Sequence, residues 1–261
     1  MSVTWNLTDA ELVVAWERLF EERLPSPLCA LLDEHYAEDY RRLADRTWNT
    51  MWERHDGSLQ DALGRVARAD VRVLARSVDP ADAENSVARA RVLGARQGPV
   101  AVLIRQLPGK TMWHSGGFVI TMGTSDRLAG AIVGALPGCE PGRLPDTPMV
   151  NAPDRSDTDH WYGRSEVLDS YVELQRRSDA WLRLPMRVLG VIETFQGSSI
   201  FGPRGITRHR IFWRDLVDDG RYAIADTTTP VAVAADPHRL AAMIGADIAK
   251  VLQTLEDERS A

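Results

Sequence analysis

The spacing of apolar positions along this chain changes from helical to strand-like, and the change happens twice. Leu12, Val13, Trp16, Leu19 and Phe20 recur three or four residues apart, which places them on one face of a helix. Thr8 and Glu11 form a capping-box pattern at its start, with Leu7 and Leu12 where a hydrophobic staple would sit. Pro25-Ser26-Pro27 ends it. A second helical stretch is expected from about Asp33 to His55, with Tyr36, Tyr40, Leu43, Thr47 and Met51 on one face. Gly57 suits its C-terminal stop, and Ser58 the cap of a short third helix carrying Leu59, Leu63 and Val66. From Val71 the period becomes two: Val71, Val73 and Ala75 alternate with Arg72, Leu74 and Arg76, as in a strand with one wetter face.

The strand pattern then repeats. Val71-Arg72-Val73-Leu74 is matched by Met186-Arg187-Val188-Leu189, and Ala90-Arg91-Val92-Leu93 by Arg210-Ile211-Phe212-Trp213. The tips Gln97-Gly98 and Asp219-Gly220 are hairpin signals between apolar runs. Further strands are expected at Phe118 to Met122 and Val231 to Ala234. Helices follow them, one with Ser125 or Asp126 at its cap, the other with Asp236 before Pro237. Each copy reads as strand, hairpin, short strand, helix. Two copies are too few for a solenoid or propeller, so the expected architecture is α+β. It has one mainly antiparallel sheet with flanking helical bundles, built from two halves related by a quasi-two-fold axis. The whole chain, 1–261, reads as one domain, with halves at 1–136 and 161–261. Pro137, Pro141, Pro145, Pro148 and Pro153 mark 137–160 as an extended connector. The second half opens on a helical segment with Val167, Leu168, Tyr171, Val172 and Leu174 on one face, continued by Trp181, Leu182 and Leu184. A long amphipathic helix runs from Pro237 to about Leu255.

Composition narrows the function. The formal net charge is −6, which withholds the attraction that supplies non-specific nucleic-acid affinity. No apolar run approaches the roughly 20 residues of a membrane span, and the N-terminus has no signal-type core. Cys29 and Cys139 are the only cysteines, so a disulfide scaffold is excluded and a cytoplasmic location is expected.

Motifs for catalysis are weak. Asp154, Asp157, Asp159 and His160 resemble a ligand cluster but lack the glycine and the final glutamate of a calcium loop, and solvated aspartates are expected in such a connector. The stretch Gly197-Ser198-Ser199-Ile200-Phe201-Gly202-Pro203-Arg204-Gly205 lacks the Gly-Lys-Ser/Thr and helix of a phosphate loop, and reads as a loop between strands. None of the histidines, His35, His55, His114, His160, His209 and His238, lies in a metalloprotease or hydrolase motif, and Cys29 has no histidine partner motif. No metal, cofactor or catalytic residue is assigned. Trp5, Trp16, Trp48, Trp181 and Trp213 fit buried periodic positions, whereas Trp113 sits beside Met112 in a glycine-rich loop, Pro108 to Gly117. Such a tryptophan is either a lid on the core or an anchor for another protein. Phe201, in what the repeat suggests is the equivalent loop, poses the same choice. Met112, Trp113, Phe201 and Phe212 are therefore the expected partner-binding residues. A small-molecule enzyme using the crevice between halves and a homodimeric scaffold are the alternatives.

The opening Thr4-Trp5-Asn6-Leu7-Thr8-Asp9-Ala10-Glu11-Leu12-Val13-Val14-Ala15-Trp16-Glu17-Arg18-Leu19, with Arg23-Leu24-Pro25-Ser26-Pro27-Leu28, resembles the EspG proteins of type VII (ESX) secretion systems. So do Trp213 to Tyr222 and Val231 to Asp236 near the other end. The resemblance covers nearly the whole length. It implies a non-catalytic cytosolic chaperone that binds the apolar helical tip of the PPE subunit in a PE–PPE heterodimer. Such a chaperone keeps its substrate soluble and directs it to its secretion system, itself a monomer or weak homodimer. It also implies docking against the sheet and the C-terminal helical region, through no motif that can be carried over residue by residue.

Overall fold

The computed structural model describes residues 2–32, 36–150 and 166–260. Strand β1 (Val3–Leu7) leads into helix α1 (Asp9–Phe20), followed by α2 (Ala37–Arg54) and α3 (Gly57–Ala67). Four strands come next: β2 (Val71–Val78), β3 (Ala90–Gln97), β4 (Val100–Pro108) and β5 (Ser115–Thr124). Helix α4 (Leu128–Gly134), the short β6 (Thr147–Pro148) and α5 (Glu166–Leu182) lead into β7 (Met186–Gln196), β8 (Arg208–Leu216), β9 (Arg221–Ala225) and β10 (Val231–Ala234). Helix α6 (Pro237–Ser260) closes the described chain.

All ten strands form one antiparallel sheet in the order β1-β5-β4-β3-β2-β7-β8-β9-β10-β6. The two halves meet at the central pair β2–β7, from Val71 opposite Gln196 to Val78 opposite Leu189. Outward from this seam each half runs three further strands in chain order and then ends on a strand from earlier in the chain, β1 beyond β5 and β6 beyond β10, the arrangement a quasi-two-fold axis produces. The register refines the repeat. Arg91 lies opposite Arg76, and Phe212 opposite Val191. With Val71 aligned to Met186, Arg91 therefore corresponds to Phe212, not to Ile211 as the sequence pairing had it.

The two faces of the sheet are covered differently. On one, Val73, Ala75, Val92, Ala101, Val188, Ile192, Ile211 and Trp213 pack against Leu128 and Ile132 of α4 and Leu240 and Ile244 of α6. Gly94 lets α4 approach, since a Cβ there would stand 2.9 Å from the Ile132 side chain. On the other face, α1, α2 and α3 cover the first half: Leu12, Trp16, Met51, Leu59 and Leu63 pack on Leu93, Val102, Ile104, Phe118 and Ile120. Helix α5 covers the far side of the second half through Trp181, which meets Leu216, Tyr222 and Ala232. Each fully buried Leu or Ile contributes about 1.5–3 kcal/mol, so the layers hold the strands firmly on either side of the seam.

Several local expectations are corrected. Strand β1 was not anticipated; Trp5 and Leu7 alternate with exposed Thr4 and Asn6 on a strand paired with β5. Helix α1 begins as expected, with Thr8 and Glu11 exchanging cap hydrogen bonds, but Glu21 ends it in the left-handed conformation before the prolines are reached. Gly57 starts α3 instead of stopping α2, and the cap is Asp56, whose carboxylate accepts from the Ser58 amide. Residue 33, where the second helix was to start, lies outside the described residues. Within the described part of the connector, Thr147–Pro148 also joins the sheet, pairing with β10 as an edge strand, where proline costs no ladder bond. Among the described side chains of α5, Ser178 and Trp181 are buried, whereas Val172 and Leu182 are exposed. Helix α6 continues to Ser260.

Candidate partner-binding groove

The helices that cover the second face leave its middle open. Between α1–α3 on one side and α5 on the other, β2, β7 and β8 present a groove of about 470 Å³. Its floor is a single cross-strand row, Arg91–Arg76–Val191–Phe212, followed by the Val78–Leu189 pair toward the upper end of the sheet. Ser26 and Pro27, from the α1–α2 link, and Met112, from the β4–β5 loop, form one wall. Leu189 is 38% exposed and Phe212 40%, while Trp213, next in the chain but on the helix-covered face, is fully buried. Apolar side chains left open in the middle of a sheet, rimmed by polar groups, are the usual mark of an interaction surface.

The wall is fixed by hydrogen bonds to the loop backbone. Arg91 donates to the Met112 carbonyl at 2.9 Å and Arg89 to the Thr111 carbonyl at 3.0 Å. Cys29 joins this cluster: Gln106 Oε1 accepts from its amide at 2.9 Å, and Arg91 contacts its thiol. Below the groove, Glu193 accepts from Arg210 Nε at 2.8 Å and pairs with Arg208 at 3.5 Å. Burial pushes the Glu193 carboxyl up, but the Arg210 hydrogen bond and the charges of Arg208, Arg210 and Arg76 outweigh it and hold the group below the ordinary carboxylate range. Above the groove, Arg214 donates to the carbonyls of Leu182 and Leu184 at 2.9 and 3.2 Å and lies over the Trp181 ring. It thereby caps α5 and pins that helix to β8; burial lowers its pKa.

The expected partner residues separate. Met112 and Phe212 line the groove together. Trp113 is 60% exposed beside Met112, and its carbonyl accepts from the amide of Leu31, itself exposed. The lid alternative for Trp113 therefore fails. Phe201 is 69% exposed but sits at the opposite end of the sheet, in the β7–β8 loop, where the Gly197 amide donates to Asp70 before β2. The counterpart of that loop in the first half is the β2–β3 loop, so the equivalence between the Trp113 and Phe201 loops is wrong. The Phe201 loop is held by α6: Glu258 accepts from Ser199 Oγ at 2.8 Å, Gln196 Nε2 at 3.0 Å and the Ile200 amide at 3.1 Å.

Sequence reading missed Arg76, Leu189 and Val191. A signal was present: in Val188-Leu189-Gly190-Val191-Ile192 both alternating sets are apolar or small, whereas an antiparallel strand with a wetted face alternates apolar and polar. The aspartate cluster Asp154, Asp157, Asp159 and His160 lies outside the described residues. Among the described residues no group of three or more His, Cys, Asp or Glu could hold a metal ion, and no helix is long and apolar enough to cross a membrane.

Comparison with known proteins gives matches of nearly full extent. The family model described as the EspG family matches residues 8–246. Among solved structures, the fold matches the Mycobacterium tuberculosis type VII secretion system chaperone EspG5, solved in complex with a PE25–PPE41 dimer. That match has a TM-score of 0.53 and 14% identity, and covers 97% of this chain and 96% of that chain. No curated protein matches this chain.

Proposed function

The chain belongs to the EspG family, and from that membership we propose that it is a cytoplasmic secretion chaperone whose open sheet groove holds the apolar helical tip of a PPE subunit within a PE–PPE heterodimer. The observation that carries this reading is the apolar strip of exposed Leu189 and Phe212 with half-buried Val191 between them, on a part of the sheet that neither α1–α3 nor α5 covers. A helical bundle with an apolar end aggregates unless that end is covered. A strip walled by helices on both sides can cover it and still release it, because the interface stays small compared with an obligate one. The task is binding and release, and it asks for no catalytic group. Fold supports the same reading, since EspG5 shares it over nearly its full length.

Within this reading Phe212 and Met112 make the central contacts, and Trp113 extends the wall that Met112 begins. Residues 1–261 act as one unit, because strands of both halves build the groove floor. The test is co-expression with PE–PPE pairs encoded near this chain, followed by affinity capture and size-exclusion chromatography. A one-to-one-to-one complex is the expected result. A well-folded chain that retains none of the pairs would sink the proposal.

A further inference from the structure

We propose that the groove selects a partner tip that carries an Asp or Glu carboxylate among its apolar residues, and that Arg76 binds this carboxylate, with Arg89 and Arg91 as fixed charges beside it. The inference rests on the chaperone reading of the groove and adds what the groove recognises. Arg76, Arg89 and Arg91 all line it, and among the described residues no acidic one does. Arg76 stands directly opposite Arg91 in the β2–β3 ladder. Like charges in that relation destabilise a sheet, so the pair costs the free protein something that a bound anion would return.

The three guanidinium groups are not equally engaged. Arg91 is held by the Met112 carbonyl and Cys29. The Arg89 side chain is only 7% exposed; it meets Glu84 at 3.3 Å and the Ala83 and Thr111 carbonyls at 3.1 and 3.0 Å, yet its buried Nε has no partner. Arg76 is exposed, and Glu193, whose carboxyl feels the Arg76 charge, is already bonded to Arg210 and Arg208. The groove therefore has a cationic end on β2 and β3 and an apolar end on β7 and β8, in a protein whose formal net charge is −6. A carboxylate matches the planar fork of arginine in two parallel hydrogen bonds. Apolar neighbours exclude water and strengthen that contact. Complementary charge of this kind fixes register and partner choice more than raw affinity.

The experiment measures affinity, in low salt, for a PE–PPE pair that the wild-type chain retains. Arg76→Glu should weaken binding about 10- to 100-fold, the loss of one to two charge-assisted hydrogen bonds. Arg127→Glu, an exposed charge change on another element, should stay within about twofold. Changing the partner's tip carboxylate to Lys should restore binding to Arg76→Glu and not to wild type. If Arg76→Glu unfolds at lower temperature, Arg76→Gln carries the same arm, with a smaller loss and a shallower salt dependence. Unchanged affinity in the folded Arg76 variant while Phe212→Ala still loses the pair would overturn this inference and leave the chaperone reading standing. Failure of every pair to bind the wild-type chain would overturn both.

Discussion

Phe212 and Trp213 are neighbours on one strand, both aromatic, and they meet opposite fates. Trp213 faces α4 and α6, is fully buried, and lies over Gly190 of the adjacent strand. Phe212 faces the gap between α1–α3 and α5 and keeps 40% of its surface in solvent. The same sheet thus has one face finished by its own helices and one face unfinished. Chain chemistry does not distinguish the two residues; the distance between helical layers does. The contrast teaches that the groove is the part of a core that the fold declines to close.

The contrast can be broken from its larger side first. Trp213→Ala removes a large buried side chain and should cost about 3–5 kcal/mol, lowering the unfolding temperature by on the order of 10 °C. Phe212→Ala in the same thermal scan should cost about 1 kcal/mol or less, since much of the ring is already wet. A comparable fall for both would show that Phe212 is core. In binding the order reverses. Phe212→Ala should weaken retention of a PE–PPE pair by about 2 kcal/mol, as a central anchor does, while any Trp213 variant that stays folded binds normally. Trp113→Ala, at the edge of the wall, should weaken binding by roughly 1 kcal/mol or less with no change in melting, as rim contacts do. Phe201→Ala, at the far end of the sheet, should change groove binding least of all; a loss larger than that of Phe212→Ala would move the site to the β7–β8 loop.

The smallest effect concerns that loop and pH. Hydrogen bonds from Gln196, Ser199 and the Ile200 amide depress the Glu258 pKa. A carboxyl depressed in the folded state adds stability that is present above its unfolded pKa and lost as pH falls through the folded one. The Ile200 amide resonance should therefore stay fixed through neutral pH and shift only below the ordinary glutamate range, and Glu258→Gln should abolish that shift. Cargo binding should not follow it. A shift centred at or above the ordinary glutamate pKa would show that the clamp is not formed.

Much of the fold could be read from the chain because it rests on local periodicity. The Val71–Ala75 alternation, the Thr8–Glu11 capping box and the repeated hairpins each follow from spacing within a few residues. The misses are equally physical. Strand β1 is short and carries Asn6, so only its pairing with β5 makes it a strand. Asp56 outcompetes Ser58 as a cap because its carboxylate reaches the Ser58 amide. Met112 and Phe212 were recognisable as apolar residues without an obvious core role, but nothing local separates them from Phe201. Their meeting in one groove depends on strand order and on where α5 stops. Arg76 and Arg89 carried no motif at all; only the β2–β3 register and the open face bring them together.

The seam between halves has a consequence for direction. When Val71 is laid on Met186, Arg76 falls on Val191, its own partner across the β2–β7 ladder, and Arg91 falls on Phe212. The pseudo-dyad therefore pierces the groove floor, and turning the molecule about it exchanges a pair of cations for a pair of hydrocarbons. A groove on a true dyad could not tell a guest from the same guest reversed. Here the backbone is nearly indifferent to the turn while the side chains are opposite in character, so the scaffold has the geometry of a symmetric cradle and the polarity of a compass needle. The repeat of strands gives the shape, and the difference in side chains at these four positions gives an up and a down.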